Sequence, residues 1–270
     1  MPLLVCATPI GNLDDVTLRV LDALRAADVV LCEDTRHTRI LLDRHGIRAR
    51  SLVSLHRHNE AARVEELLPR LRAGETVALV TDAGTPGIAD PGARVIAAAA
   101  ANDVEIHVLP GPSAVVAAVV ASGLASDEGF RFVGWLPRRE GEREALWREL
   151  ATGVVPVAAF ESPRRLPVSL ASLAAAHPDV RVCVCRELTK RFEETVRGNA
   201  QEVASRFAEA TRGEIVVVIA PVTARRPEAD DAARAAVREL VEAGAPRGVA
   251  ATVVSRLTGV ARNELYQHGL

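Results

Sequence analysis

Leu79-Val80-Thr81-Asp82-Ala83-Gly84-Thr85-Pro86-Gly87-Ile88-Ala89-Asp90-Pro91-Gly92 is the stretch on which the reading of this chain turns. A short apolar run, Val77–Thr81, leads into it, and a helical pattern over Ala93–Ala101 follows. The stretch is therefore a loop at the carboxyl end of a strand. Glycines let such a loop take positive φ and let a ligand approach the backbone, while prolines stiffen it. Two similar loops follow strand-like runs: Thr8-Pro9-Ile10-Gly11-Asn12 after Leu3–Ala7, and Pro110-Gly111-Pro112-Ser113-Ala114 after Ile106–Leu109. In open α/β sheets this edge is where ligands bind.

Around these loops, apolar runs at Val29–Cys32 and Leu52–Leu55 alternate with helical patterns at Val16–Ala26, Thr38–His45 and Glu60–Arg72. That alternation predicts βαβ units and a mainly parallel sheet over residues 1–112. Asp14 and Asp15 suit the start of the first helix, where carboxylates offset exposed N–H groups. Further on, strands are predicted at Phe130–Trp135, Val155–Phe160, Val180–Glu187, Glu194–Arg197 and Ile215–Ile219. Only three helical patterns separate them, Arg143–Leu150, Arg164–Ala176 and Ala200–Thr211. Arg186–Arg197 leaves no room for a helix, so a hairpin and a mixed sheet are expected. The fold class is thus α/β with two α/β domains, 1–112 and 113–221. A Pro/Arg linker, Val222–Glu228, then leads to a helical tail within 222–270, with helices at Asp230–Glu242, Arg247–Arg256 and Ala261–His268.

The formal charge of −2 excludes a protein coated with basic charge for indiscriminate nucleic-acid binding. Hydrophobic residues reach 49% and support a sizeable core, whereas aromatics at 3% argue against aromatic ligand cages. Apolar stretches such as Ala114–Ala121 fall well short of the roughly 20 residues that span a bilayer. The start, Met1–Pro9, has neither a basic region nor a cleavable apolar core, so a cytoplasmic protein is expected. Cys6, Cys32, Cys183 and Cys185 lie in strand-like runs, and Cys183-x-Cys185 has the wrong spacing for a zinc knuckle. They read as buried thiols.

Charge narrows the ligand. None of the three loops contains Lys or Arg, and the middle one carries Asp82 and Asp90. A phosphate site wants basic groups and no carboxylates at its mouth. Neither G-x-G-x-x-G nor G-x-x-x-x-G-K-[ST] occurs in them. A neutral-to-acidic, backbone-rich crevice suits an adenine, a ribose diol and a cationic sulfonium, which together describe S-adenosylmethionine. Plain tight turns are the competing reading.

A second feature sits beside the loops. Arg36 to His58 holds six arginines, four of the seven histidines and one acid, Asp43. A local basic patch of this kind suits RNA phosphates, with Arg36, His37, Arg39, Arg57 and His58 as contacts; a solvated helix face is the bland alternative. Glu33-Asp34-Thr35-Arg36 follows the second strand, and His56, His58, Asn59 and Glu60 follow the third, so both share the ligand edge. Glu33, Asp34 and Glu60 are candidates to take a proton from a hydroxyl, and Arg36 can orient a phosphate or carboxylate. Glu33, Arg36 and Glu60 form the catalytic set, since Asp34 reads equally well as a helix cap. The histidines at 37, 45, 56 and 58 show no i, i+4 pair and no accompanying thiolates, so no metal site is expected. Glu161-Ser162-Pro163-Arg164-Arg165 and Glu187 with Lys190 end further strands, either bordering the cleft or forming interdomain ion pairs.

Together, Ala7–Leu13, Leu79–Pro86 and Leu109–Ala114 resemble the tetrapyrrole-methylase superfamily. Within it, Cys32–Thr38, His58-Asn59-Glu60, Phe160–Leu166 and Arg186–Lys190 resemble the ribosomal small subunit methyltransferase I family. The resemblance runs from Leu3 to about Ile219. It implies 2′-O-methylation of cytidine 1402 in 16S rRNA within the 30S subunit, S-adenosylmethionine as donor, a cofactor cleft between two α/β domains and a homodimer. By motif position it implies that Asp82, Gly84, Thr85, Ser113 and Ala114 contact the cofactor, that Pro9 and Ile10 line its pocket, and that Leu136 and Phe160 approach from the second domain. Two other readings stay open. One is a methyltransferase of this fold acting on a porphyrin or corrin precursor or on a translation factor. The other is a DNA-binding regulator using the helix-turn-helix-like tail. The basic segment favours RNA over a small acidic macrocycle.

Overall fold

Strands β1 (Leu3–Cys6), β2 (Val29–Cys32) and β4 (Val77–Leu79) are almost wholly apolar and buried, the pattern of strands covered on both faces. With β3 (Leu52–Ser54) and β5 (Ile106–Leu109) they form a parallel sheet in the order β3-β2-β4-β1-β5. This architecture comes from a computed structural model that describes residues 2–222, 227–258, 260 and 262–267. Helices α1 (Leu18–Ala26) and α2 (Thr35–Arg44) bury Leu24, Leu41 and Leu42 against one face of the sheet. Helices α3 (Glu60–Arg72) and α4 (Ala93–Ala101) bury Leu67, Leu71 and Val95 against the other.

Local chemistry moves two helix starts away from the expected positions. Asp14 and Asp15 do not open α1: they lie in a short 3-10 turn capped by the Asn12 side chain, and the Thr17 hydroxyl caps α1 instead. Helix α2 starts at Thr35 because the Asp34 carboxylate accepts the Arg36 N–H and caps it.

The second sheet is mixed. It joins β6 (Arg131–Trp135), β7 (Val157–Glu161), β8 (Arg181–Arg186), β9 (Glu194–Asn199) and β10 (Ile215–Ile219) in the order β6-β7-β10-β8-β9. Only β6 and β7 run parallel; β8 and β9 form the expected hairpin. Helix α5 (Ala114–Ser122) was not expected. Its Ala/Val sequence has no polar stripe to reveal a 3.6-residue period, yet Ser113 caps it and left-handed Gly123 ends it. It packs on β7, β8 and β10, so the loop after β5 opens straight into a helix of the second sheet. Helices α6 (Glu140–Leu150), α7 (Leu166–Ala176) and α8 (Ala200–Arg206) complete this half.

Both sheets belong to one compact unit, Met1–Pro221. The second unit, Val222–Leu270, holds α9 (Pro227–Glu242), α10 (Arg247–Thr258) and α11 (Arg262–Gln267) around Val237, Ala251, Val254 and Leu265. Residues 223–226 of the expected linker, Gly259 of the expected turn, and Ala261 and His268 lie outside the described residues. Among the described residues no helix is long and apolar enough to cross a membrane.

Candidate active site

Because β1 and β4 are neighbours, the loops that follow them meet. Thr8 and Gly84 exchange backbone hydrogen bonds of 2.9 and 3.0 Å, and the Thr8 hydroxyl donates to the Thr81 carbonyl at 2.9 Å. Gly84 sits at φ +77°, where a side chain would be strained. The loop after β1 also reaches the second sheet. Asn12 N–H donates to Thr189 Oγ1 at 3.0 Å, and a Cβ on Gly11 would lie 2.5 Å from Lys190 Cγ. Glycine is therefore required at that joint for close approach.

Between the sheets lies a cleft of about 250 Å3. Ile10, Gly84, Thr85, Ser113 and Ala114 line one side, and Phe160 lines the other. Phe160 makes edge contacts with Phe132 and Trp135, with ring centroids 5.1 and 5.7 Å apart. Among the described residues the lining includes Asp90, Glu161 and Glu214 but no Lys, Arg or His. Apolar walls, backbone polar groups and negative charge fit a nucleoside that carries a sulfonium. A second cavity of about 230 Å3 adjoins it, sharing Ile10, Ala83 and Glu214. Pro9, Gly11, His37, Ile40, Asp82 and Lys190 also line this one.

Six of the nine expected cofactor residues thus meet in one cleft, and Pro9 and Asp82 face the neighbouring cavity. Leu136 is buried and lines neither; its N–H donates to the Phe160 carbonyl, and its own carbonyl accepts from Arg165 Nη2 at 2.7 Å. Sequence reasoning missed Trp135, Cys185, Leu188, Ile215 and Val216, which also line the cleft. Trp135 ends a predicted strand and Cys185 read as a buried thiol, but only the packing of the second sheet turns either toward the cleft.

The carboxylates beside the cleft behave differently from one another. Asp82 accepts the Asp34 N–H at 3.0 Å through Oδ1 and faces His37 Nδ1 at 3.1 Å through Oδ2, tying two loops together. Burial, and then the charge of Asp82, push the Glu33 carboxyl above its ordinary range. Burial, Glu33 and Asp82 push Asp90 up to about 6. Hydrogen bonds from the Arg36 guanidinium and N–H hold Asp34 well below the usual carboxylate range. Asp34 is therefore a helix cap and ion-pair partner, unsuited to taking a proton.

Glu60 requires a correction. It is buried, lines neither cavity, and accepts the N–H groups of Gly92 and Arg94, both at 3.0 Å. Its carboxylate caps the N-terminus of α4, so the sequence position of Glu60 at the ligand edge is not matched by access to the ligand. Glu33 also lines neither cavity, but the charge of Asp82 acts on it and its own charge acts on Asp90, one residue from each lining. Arg36, His37, Arg39, Arg57 and His58 are all exposed. Arg57 Nη2 donates to the Ala89 carbonyl at 3.1 Å, and its charge opposes the upward shifts of Glu33 and Asp90. Part of the basic segment is neutralised locally, since Arg36, Arg44 and Arg50 pair with Asp34, Asp14 and Asp28.

The remaining charged motifs form local networks rather than interdomain pairs. Buried Glu161 accepts Ser169 Oγ at 2.5 Å and Ser162 N–H at 2.7 Å, with Arg165 at 3.2 Å. Lys190 Nζ bridges Glu187 and Glu214 at 3.0 and 2.9 Å.

Comparison with known proteins agrees with this geometry. Residues 2–204 match the family of Tetrapyrrole (Corrin/Porphyrin) Methylases. The chain is 42% identical over 268 residues to a ribosomal RNA small subunit methyltransferase I of Mesorhizobium japonicum, covering 98% of this chain and 90% of that one. It is 43% identical over 263 residues to the protein of the same description from Micromonospora olivasterospora, covering 96% and 83%. The fold also matches the crystal structure of a Thermus thermophilus uroporphyrin-III C-methyl transferase complexed with S-adenyl homocysteine. There the TM-score is 0.56 at 17% identity, covering 81% of this chain and 97% of that one.

Proposed function

Because this chain belongs to the ribosomal RNA small subunit methyltransferase I family, within the tetrapyrrole methylases, we propose that it methylates the 2′-hydroxyl of cytidine 1402 in 16S rRNA. S-adenosylmethionine supplies an electrophilic methyl group when bound. The observation that carries this reading is a cleft lined, among the described residues, by no basic side chain, which shares residues with a second cavity beside the exposed basic helix α2. The first suits the donor and the second suits a ribose.

Ile10, Gly84, Thr85, Ser113, Ala114 and Phe160 hold the donor, and Asp90 favours its positive charge. A sulfonium is already a good leaving group, so alignment of the ribose hydroxyl supplies most of the rate enhancement. Glu33, desolvated and near both cavities, receives the hydroxyl proton. Arg36, His37, Arg39, Arg57 and His58 hold the RNA backbone, and Asp82 keeps the two loops in register.

The same reading divides residues 1–221 into two lobes at 112/113 and places the enzyme in the cytoplasm, acting on the 30S subunit as a homodimer. Support for pairing comes from the exposed Val108 on edge strand β5 and Val116 and Val120 one turn apart on α5. Mapping ribose methylation in rRNA from cells lacking the protein tests the proposal. Loss at cytidine 1402 alone, restored by the purified enzyme on 30S particles, is expected; an unchanged map would refute it.

A further inference from the structure

The hairpin between β8 and β9 carries two side chains that neither the core nor the donor cleft uses. Its sequence is Glu187-Leu188-Thr189-Lys190-Arg191-Phe192-Glu193. Leu188 lines the donor cleft and Lys190 lines the second cavity. The backbone between them is held in an unusual shape, with Glu187 at φ 53° and Thr189 at φ 64°. Lys190 N–H donates to the Glu187 carbonyl at 3.0 Å, Thr189 N–H donates to Glu193 Oε2 at 2.7 Å, and Asn12 N–H donates to Thr189 Oγ1. The Lys190 ammonium bridges Glu187 and Glu214. Left-handed backbone at non-glycine residues persists where surroundings over-determine it, commonly at ligand clamps. A final turn, closed by Glu193 N–H on the Lys190 carbonyl at 3.1 Å, makes Arg191 and Phe192 its central residues. Both are therefore presented on a braced platform within two residues of the second cavity.

Phe192 is 66% exposed in a chain with only five phenylalanines, and the Arg191 guanidinium carbon lies 5.4 Å from its ring centroid. An exposed aromatic ring paired with a guanidinium plane is the chemistry that stacks an unpaired nucleobase and attracts its phosphate. A lone ribose offers few handles for in-line alignment, so the neighbouring nucleotide must be held as well. We infer that Arg191 and Phe192 form a stacking site for an unpaired base of the RNA acceptor, flanking the nucleotide whose ribose enters the second cavity. This assignment rests on the RNA reading above.

The test compares wild type with Phe192→Ala, Phe192→Leu and Phe192→Trp. Three measurements are made: methylation of 30S particles, anisotropy with a short unpaired RNA oligonucleotide, and sedimentation. The ring is exposed, so the variants keep their fold. Phe192→Ala and Phe192→Leu should raise the KM for RNA roughly 5- to 100-fold and weaken oligonucleotide binding alike. S-adenosylmethionine affinity should be unchanged, and Phe192→Trp should restore KM. Unchanged RNA binding in Phe192→Ala overturns the assignment. So does full function in Phe192→Leu, which would mark an apolar contact rather than a stack, or a lighter assembly in Phe192→Ala, which would mark a contact between copies. Wild-type protein inactive on 30S particles would sink the RNA reading itself, while oligonucleotide binding still decides the role of Phe192.

Discussion

Among the carboxylates crowded at one sheet edge, environment rather than identity separates the roles. Asp34 is held ionised by Arg36, Glu60 is engaged by two backbone N–H groups, and Asp82 is shared by Asp34 N–H and His37. Glu33 differs because burial and the charge of Asp82 both disfavour its ionised form, so its carboxyl titrates above the ordinary glutamate value of about 4.3. A base works only when deprotonated. Turnover should therefore fall as pH drops through that raised value, at higher pH than an ordinary glutamate would give. Glu33→Gln should lower kcat roughly 100-fold or more, abolish that acidic limb and leave calorimetric S-adenosylmethionine affinity intact. Full turnover with the limb preserved would leave alignment alone as the source of the rate. Of this, only the capping role of Asp34 was readable beforehand, from its place just ahead of a helical run; Glu33 and Glu60 sit at the same edge and differ in what surrounds them.

At the scale of elements, the site depends on how helices are started and how loops are braced. Glu60 begins α3 in sequence but stabilises α4, joining two helices on one face of the first sheet. Glu60→Ala leaves two helix N–H groups without their acceptor and should destabilise the fold by about 1–3 kcal/mol. Denaturant unfolding would read that loss, while turnover per folded molecule should hold; the opposite pattern would return Glu60 to the catalytic set. The Gly/Pro loops were legible as loops that line a cleft because their composition allows unusual backbone shapes. Helix α5 was not, because an Ala/Val segment without a polar face gives no periodic signal, although its caps, Ser113 and Gly123, stand in the sequence. The mixed second sheet was legible through the missing crossover helix between β8 and β9.

For the molecule as a whole, the proposed pairing rests on the exposed valines of β5 and α5, apolar side chains that gain by being covered. Val120→Asp, a change at a side chain 70% exposed, should leave the monomer folded and convert a sedimenting dimer to a monomer. Wild type that already sediments as a monomer would remove the dimer from the proposal. By itself, the sequence determined the α/β class, the parallel and mixed sheets, the Gly/Pro loops at one sheet edge and their lack of basic side chains. Those follow from local spacing, backbone demands and net loop charge, all written in neighbouring residues. Only the tertiary structure decided which carboxylates are desolvated, that Glu60 is a cap, that Asp82 ties two loops and that Trp135 and Cys185 line the cleft. These are properties of burial and of partners distant in sequence: Gly92 and Arg94 for Glu60, Asp34 and His37 for Asp82. A residue's solvent and charge environment is set by which distant segments pack against it, and that is fixed when the two sheets close on each other.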